Sequence, residues 1–342
     1  MLANELLLKA AKGEITPKIP VWLMRQAGRV LPEYRAVRQK ARDFINFVKS
    51  PELAAEVTIQ PVDILNVDAA IIFSDILVIP EAMGLPYLMQ EEKGPVFPDY
   101  IQSEKDIEKL HVATANDYHY VLDAIQLTKK HLQNRIPLIG FSGAPWTLFA
   151  YMTEGKGSKT FSKSKKWLYS NPEASHQLLQ KITDSIIHYL KDQIKSGADI
   201  VQLFDSWAGV LNKELYDTFC IPYLKQICNA ISEVPVIIFP KDGHFTLQSI
   251  SSLNCNVVSL DWTIEPEIAI KTLPDKTLQG NADPCLLYAD EKTIELHTFK
   301  MLKKFNSVPY IANLGHGLYP DIEKEKVKLF VEIVHSYTRS LK

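Results

Sequence analysis

Arg25, Arg29, Arg35 and Arg38 crowd the stretch 24–38, just after the apolar run 21–23. A guanidinium does not give up its charge, and its planar fork matches a carboxylate or phosphate through paired hydrogen bonds. Without such a partner the cluster would repel itself, so it predicts a socket for a small polyanion. The whole chain carries 38 basic and 40 acidic residues. The patch is therefore local and not part of a broad basic surface for nucleic acid. Arg35, Arg38 and Arg42 follow the Pro32-Glu33 helix start at spacings of three and four, and they could form a solvated helix face. Arg25 and Arg29 precede that helix and are the better ligand candidates.

Asp75 is the second informative position, since it lies between the apolar runs 69–73 and 76–79. A carboxylate there is poorly solvated unless donors or cations meet it; equally, it could cap a turn by accepting from the following backbone. The arginines favour chemistry, because both groups fall where neighbouring strands end on one rim. Further rim candidates are Tyr151, after Gly143-Ala144-Pro145-Trp146, Ser206 in Asp205-Ser206-Trp207, and His316 between Gly315 and Gly317. Flanking glycines let a ligand come close to the backbone, although a histidine so placed can also cap a turn. Neither a nucleophile elbow nor His-Glu-x-x-His occurs, which disfavours hydrolysis. The four cysteines, Cys220, Cys228, Cys255 and Cys285, are too dispersed for a zinc or redox pair and read as buried reduced thiols.

These residues need elements to hold them. Apolar runs at 21–23, 69–73, 136–141, 200–204, 234–239, 257–260, 277–278 and 310–312 each stop at polar or glycine residues. Eight such strands alternating with helices predict an α/β chain folded as a single (β/α)8 barrel over 1–342, because that fold gathers polar residues at the C-terminal strand ends. The run at 277–278 is the shortest and is expected to be the least regular strand. Ser50-Pro51-Glu52 and Asn171-Pro172-Glu173 each place a capping residue before a first-turn proline and a carboxylate. Asp283-Pro284 and Pro320-Asp321 look similar. Residues 90–95 and 154–160 read as mobile loops; the second lacks the first glycine and final hydroxyl of a phosphate loop. No apolar run approaches a membrane span, and the start of the chain does not resemble a signal peptide, so the cytoplasm is expected.

Taken in order, several blocks resemble the uroporphyrinogen decarboxylase family of haem-pathway enzymes. They are Met24-Arg25-Gln26-Ala27-Gly28-Arg29 with Leu31-Pro32-Glu33-Tyr34-Arg35, then Ile72-Phe73-Ser74-Asp75-Ile76-Leu77, then residues 140–148. Phe204-Asp205-Ser206-Trp207, Leu260-Asp261-Trp262, Gln279-Gly280-Asn281 with Asp283-Pro284, and Asn313-Leu314-Gly315-His316-Gly317 complete the set. The resemblance implies a distorted (β/α)8 barrel, a homodimer, and cofactor-free, metal-free removal of CO2 from the four acetates of uroporphyrinogen, giving coproporphyrinogen. It places Arg25, Arg29, Asp75, Tyr151, Ser206 and His316 in the pocket, with Gln26, Tyr34, Arg38, Phe73 and Phe204 as secondary contacts. Asp75, Arg25, Arg29 and Tyr151 are the implied catalytic group. Val30 departs from the aromatic residue usual at its position, which bears on a flanking contact only. The nearest rivals are a zinc- or corrinoid-dependent methyltransferase of related fold, disfavoured because no cysteine lies near His316, and a non-catalytic tetrapyrrole carrier.

Overall fold

A computed structural model describes residues 2–90 and 94–339. Its main sheet joins β1 (Ala70–Ile71), β4 (Leu138–Gly143), β5 (Ile200–Asp205), β6 (Val236–Pro240), β7 (Val257–Ser259), β8 (Thr277–Ala282) and β9 (Tyr310–Leu314), all parallel and in that order. The remaining strands, β2 (Leu88–Gln90) and β3 (Gly94–Val96), form an antiparallel hairpin. The segment around Val21 closes the ring. Ala312 N donates to Pro20 O at 2.9 Å, and Asp68 N donates to Val21 O at 2.7 Å. The eight expected staves are thus present in a distorted (β/α)8 barrel. Regularity is distributed otherwise than expected: β8 runs for six residues, whereas residues 21–23 contribute only an isolated bridge. Gln279-Gly280-Asn281 is polar, and it concealed a strand whose polar side chains are satisfied inside the barrel by neighbouring elements.

That interior network links Trp22 Nε1 to Gln279 Oε1 at 2.9 Å, and Gln279 Nε2 to Ser259 Oγ at 3.0 Å and Gln202 Oε1 at 3.2 Å. Strands buried on both faces need continuous apolar sequence, as Val236–Pro240 supplies. Around them lie helices that begin at the expected prolines, Pro51–Leu65 and Pro172–Ser196, although neither the Ser50 nor the Asn171 side chain makes the expected capping bond. Asp283 Oδ1 accepts from Cys285 N and starts the short turn Pro284–Tyr288. Pro320-Asp321 starts no helix; the next one is Lys324–Ser336, entered from extended Glu323.

The barrel is distorted beside the site. The β1–β4 ladder ends at Ile72, whose N–H donates to Ile139 O at 3.0 Å. Beyond that point Phe73 N donates to Thr58 Oγ1 at 2.9 Å, while the Gln193 amide takes both Phe141 N and Phe141 O at 2.9 Å. Helix side chains thus replace the missing strand neighbour, and residues 73–76 are free to turn into the barrel mouth. A Cβ on Gly140 would stand 2.3 Å from Gln193 Oε1, so only glycine leaves room for this insertion.

Two sequence expectations need correction. The start of the segment 154–160 is tied down, while 157–160 stay at the surface: Phe97 N donates to Gly155 O at 2.7 Å, Val96 bridges Lys156, and buried Glu154 accepts from Lys163 N and Ser164 N. In the segment 90–95, Gln90 and Gly94 pair within the hairpin, and 91–93 lie outside the described residues. Cys220, Cys228 and Cys255 are buried, but Cys285 is exposed, on the rim turn after β8. Among the described residues no helix is long and apolar enough to cross a membrane.

Candidate active site

Asp75 stands in the turn that leaves β1, half-buried at the barrel mouth. Both readings of it hold: Oδ1 accepts from Leu77 N at 3.1 Å, which closes the turn, and Oδ2 accepts from the Tyr87 hydroxyl at 2.7 Å. Burial pushes its carboxyl upward, and these two donors oppose the shift. Arg25 follows the closing segment in a left-handed conformation, φ 62°, which costs a non-glycine residue about 1 kcal/mol or more. Its side chain crosses Gly317, where a Cβ would meet Arg25 Cδ at 2.3 Å. The guanidinium is reached by solvent, yet surrounding protein lowers its pKa, as does Arg29, while Tyr151, Tyr319 and Asp75 act in the opposite sense. A cation both wetted and crowded lines a cleft. Neither Arg25 nor Arg29 forms an ion pair with a described residue.

His316, on the loop after β9, shares that cleft. Burial, then the charges of Arg25 and Lys241, push its imidazole down to about 4, so it is neutral at pH 7. Its ring lies 6.2 Å from Phe239, which is 6.2 Å from Phe204, itself edge-on to Phe141 at 5.5 Å. Phe204 therefore belongs to an aromatic floor. Tyr151 comes from the helix Pro145–Glu154, 6.0 Å from the Trp207 ring, with its phenol pushed up by burial. Ser206 is half-buried just past β5. Behind it Asp205 is fully buried, accepts from Thr147 and Tyr216 at 2.9 Å each, and is pushed up to about 6 by desolvation.

Other expected contacts sit further back. Gln26 is fully buried, with Oε1 accepting from Leu23 N and Nε2 donating to Ala69 O, both at 3.0 Å. In place of the expected substrate contact the structure shows a fully buried amide engaged at both ends by backbone, which stitches the rim from behind. Tyr34, with its phenol pushed up to about 12 by burial, packs with Phe73 and Phe47 at 5.6 Å. Phe73 completes that cluster with one edge open. Arg38 donates to Ala41 O and rests over the Phe47 ring at 5.7 Å. Arg35 donates to Arg29 O at 2.6 Å and thereby props the loop that bears Arg29. Val30 is in the core.

Two further neighbours, Tyr87 and Lys241, escaped sequence reasoning as site residues, and a third, Trp207, was expected on the rim within Asp205-Ser206-Trp207. Tyr87, in the connection before β2, reaches Asp75; nothing in Met83-Gly84-Leu85-Pro86 signals that approach. Trp207 packs on Phe161 at 4.6 Å and sets its indole N–H beside the Tyr151 hydroxyl. Lys241, at the end of β6, bonds Asp242 and stands 6.0 Å over Trp262; its place at a strand end was the available signal. Together these residues set aromatic rings, one half-buried carboxylate and two exposed guanidiniums at the ends of the parallel strands.

Comparison with known proteins follows the same line. A model of the family described as uroporphyrinogen decarboxylase (URO-D) matches residues 2–337. The uroporphyrinogen decarboxylase of Ovis aries is 48% identical over 353 residues, covering 100% of this chain and 96% of the relative. That of Chlorobaculum parvum is 49% identical over 344 residues, covering 98% of each. Among solved structures, a methyltransferase from Methanosarcina mazei superposes with a TM-score of 0.83 at 20% identity, over 98% of this chain and 99% of that one. At such identity the likeness concerns the fold alone.

Proposed function

Since the chain belongs to the uroporphyrinogen decarboxylase family, we propose that this cleft holds the octacarboxylic macrocycle and that Asp75 is the group on which its chemistry turns. The enzyme is a carboxy-lyase: it removes CO2 from the four acetates of uroporphyrinogen and leaves methyls. An acetate losing CO2 must send an electron pair somewhere, and a pyrrole supplies the sink. Protonation of the ring carbon beside the acetate-bearing carbon makes the ring cationic. Breaking the bond to CO2 neutralises that charge and leaves an exocyclic methylene. A proton added to the methylene and one lost from the ring restore the aromatic pyrrole, now bearing a methyl. The net change is one proton gained and one CO2 released at each acetate.

Asp75 accepts from the inner pyrrole N–H groups and stabilises the cationic ring, with its charge undiluted by water in a half-buried turn. Arg25 and Arg29 grip peripheral carboxylates and set one acetate in register. They hold rather than protonate, because a guanidinium is a poor acid. Tyr151, Ser206 and neutral His316 offer hydrogen bonds to further carboxylates, and Phe204 supports the macrocycle's face. The observation that carries this reading is a carboxylate fixed by two donors, within electrostatic reach of Arg25, which like Arg29 lacks a carboxylate partner among the described residues.

Turnover of the chemically reduced substrate by wild type and Asp75→Asn, followed by chromatography of the oxidised products, tests it. Wild type is expected to convert acetates to methyls, and the variant, still folded, to lose roughly 10²- to 10⁴-fold in kcat. A variant with wild-type turnover removes Asp75 from this role; a wild type that leaves every acetate intact removes the activity. Family membership also supports a paired homodimer, work in the cytoplasm, and residues 1–342 acting as one catalytic barrel. Sedimentation of the purified chain decides the pairing.

A further inference from the structure

Tyr87 belongs to no strand, and its ring is 5% exposed, yet its hydroxyl oxygen lies 2.7 Å from Asp75 Oδ2. The ring is anchored by Phe97, 5.8 Å away across the hairpin. Phe97 is in turn fixed by its backbone bond to Gly155 O at 2.7 Å. The hairpin β2–β3 thus serves as a buttress that aims one phenol at one carboxylate. Leu77 N occupies the other oxygen at 3.1 Å. With each oxygen holding one donor, the carboxylate is fixed in plane, and its remaining lone pairs are left for a ligand in the mouth.

We propose that Tyr87 is a positioning residue for Asp75, fixing the carboxylate's orientation and favouring its charged form, so that it meets the pyrrole N–H groups ready ionised. This rests on the role given to Asp75 above. A neutral donor suits the task, because it supports the anion without a counter-charge that would compete with the cationic ring for it. The other ionisable groups around Asp75 cannot replace it. Glu81, one turn along the helix Val78–Ala82, opposes ionisation. Tyr120 and Tyr189, from outer helices, and Tyr151, on the rim, act on Asp75 without a hydrogen bond to it. Arg25 is coupled to it by charge alone and makes no hydrogen bond to it.

The decisive variant is Tyr87→Phe, which keeps the ring and its packing and removes only the hydroxyl. Its expected signature is a fall of about tenfold in kcat with KM within about twofold, and an acid limb of the kcat profile moved up by roughly one pH unit. Phe97→Leu loosens the buttress that aims the donor, so it should move that limb in the same direction by a smaller step. If Tyr87→Phe does not fold, 3-fluorotyrosine at position 87 keeps the bond with a more acidic donor, and the limb should move down. An acid limb unmoved by the hydroxyl loss, or by fluorination, overturns the proposal. Should Asp75→Asn also retain wild-type turnover, the fault lies in the role of Asp75; should Asp75→Asn be inactive while the Tyr87 limb stays put, only the inference about Tyr87 fails.

Discussion

The arginine at the mouth depends on an absent side chain. Arg25 occupies a left-handed backbone position and lays its side chain over Gly317. A methyl there would stand 2.3 Å from Cδ, 2.6 Å from Cγ and 2.9 Å from Nε. All three atoms belong to a flexible chain that can swing away, so Gly317→Ala should cost the fold about 1 kcal/mol or less. Binding should suffer more. We expect KM to rise about tenfold with kcat nearly kept, since Arg25 grips the substrate and makes no bond to the reacting atoms; steady-state kinetics beside a thermal melt check both. An unchanged KM would show that Arg25 reaches its ligand by another path. The type of Arg25 and its neighbours were legible in the sequence, because charge and glycine are written there. Tyr87 was not, because a phenol in an apolar stretch carries no mark of the carboxylate it will meet after the chain turns back.

Among elements, the informative pair is the helix Pro172–Ser196 and β4. Gln193 inserts its amide where β1 has left the ladder, satisfying Phe141 N and Phe141 O at 2.9 Å each. Truncation would leave a buried donor and a buried acceptor unpaired at once. Gln193→Ala should therefore destabilise the chain by roughly 2–4 kcal/mol, measured by urea unfolding, and weaken activity through the turn at 73–76. A loss below about 0.5 kcal/mol would mean that β1 and β4 re-pair without help. Strand positions were readable from apolar runs that end in polar residues. The strand at 277–282 was underestimated because Gln279 bonds other polar side chains inside the barrel and Asn281 donates to the backbone carbonyls of Asp261 and Ile264, so that local hydropathy gives the wrong sign. The segment 154–160 looked mobile for the opposite reason: glycines and lysines suggest solvent, while the bonds that hold its start come from Phe97 and Glu154.

At the scale of the molecule, closure and pH response are shared properties. Asp68 gathers Asn4 Nδ2 at 2.7 Å, Val21 N at 2.8 Å and His335 Nε2 at 2.9 Å. It joins the N-terminal segment, the irregular closing stave and the last helix. Asp205, fully buried and pushed up to about 6, has an unfolded pKa near about 3.9. The native state therefore holds this proton more tightly than the unfolded chain. The contribution is fully present below about pH 4 and is lost as pH rises through about 6, a change on the order of 3 kcal/mol. Asp205→Asn should flatten this fall between pH 4.5 and pH 7 (~2.5 units), as read from urea midpoints at both pH values; a wild type and variant that differ equally at each would refute it.

The sequence by itself determined the alternation that makes a (β/α)8 barrel, the rim on which charged residues gather, and the family to which those residues point, because apolar periodicity, strand-end chemistry and motif order are local. Tertiary structure alone decided that Gln26 works from behind the rim, that Asp75 is met by Tyr87, and that the barrel opens between β1 and β4. Each of those facts depends on which distant donor reaches a group first, and hydrogen-bond partners far apart in the chain leave no pattern along it.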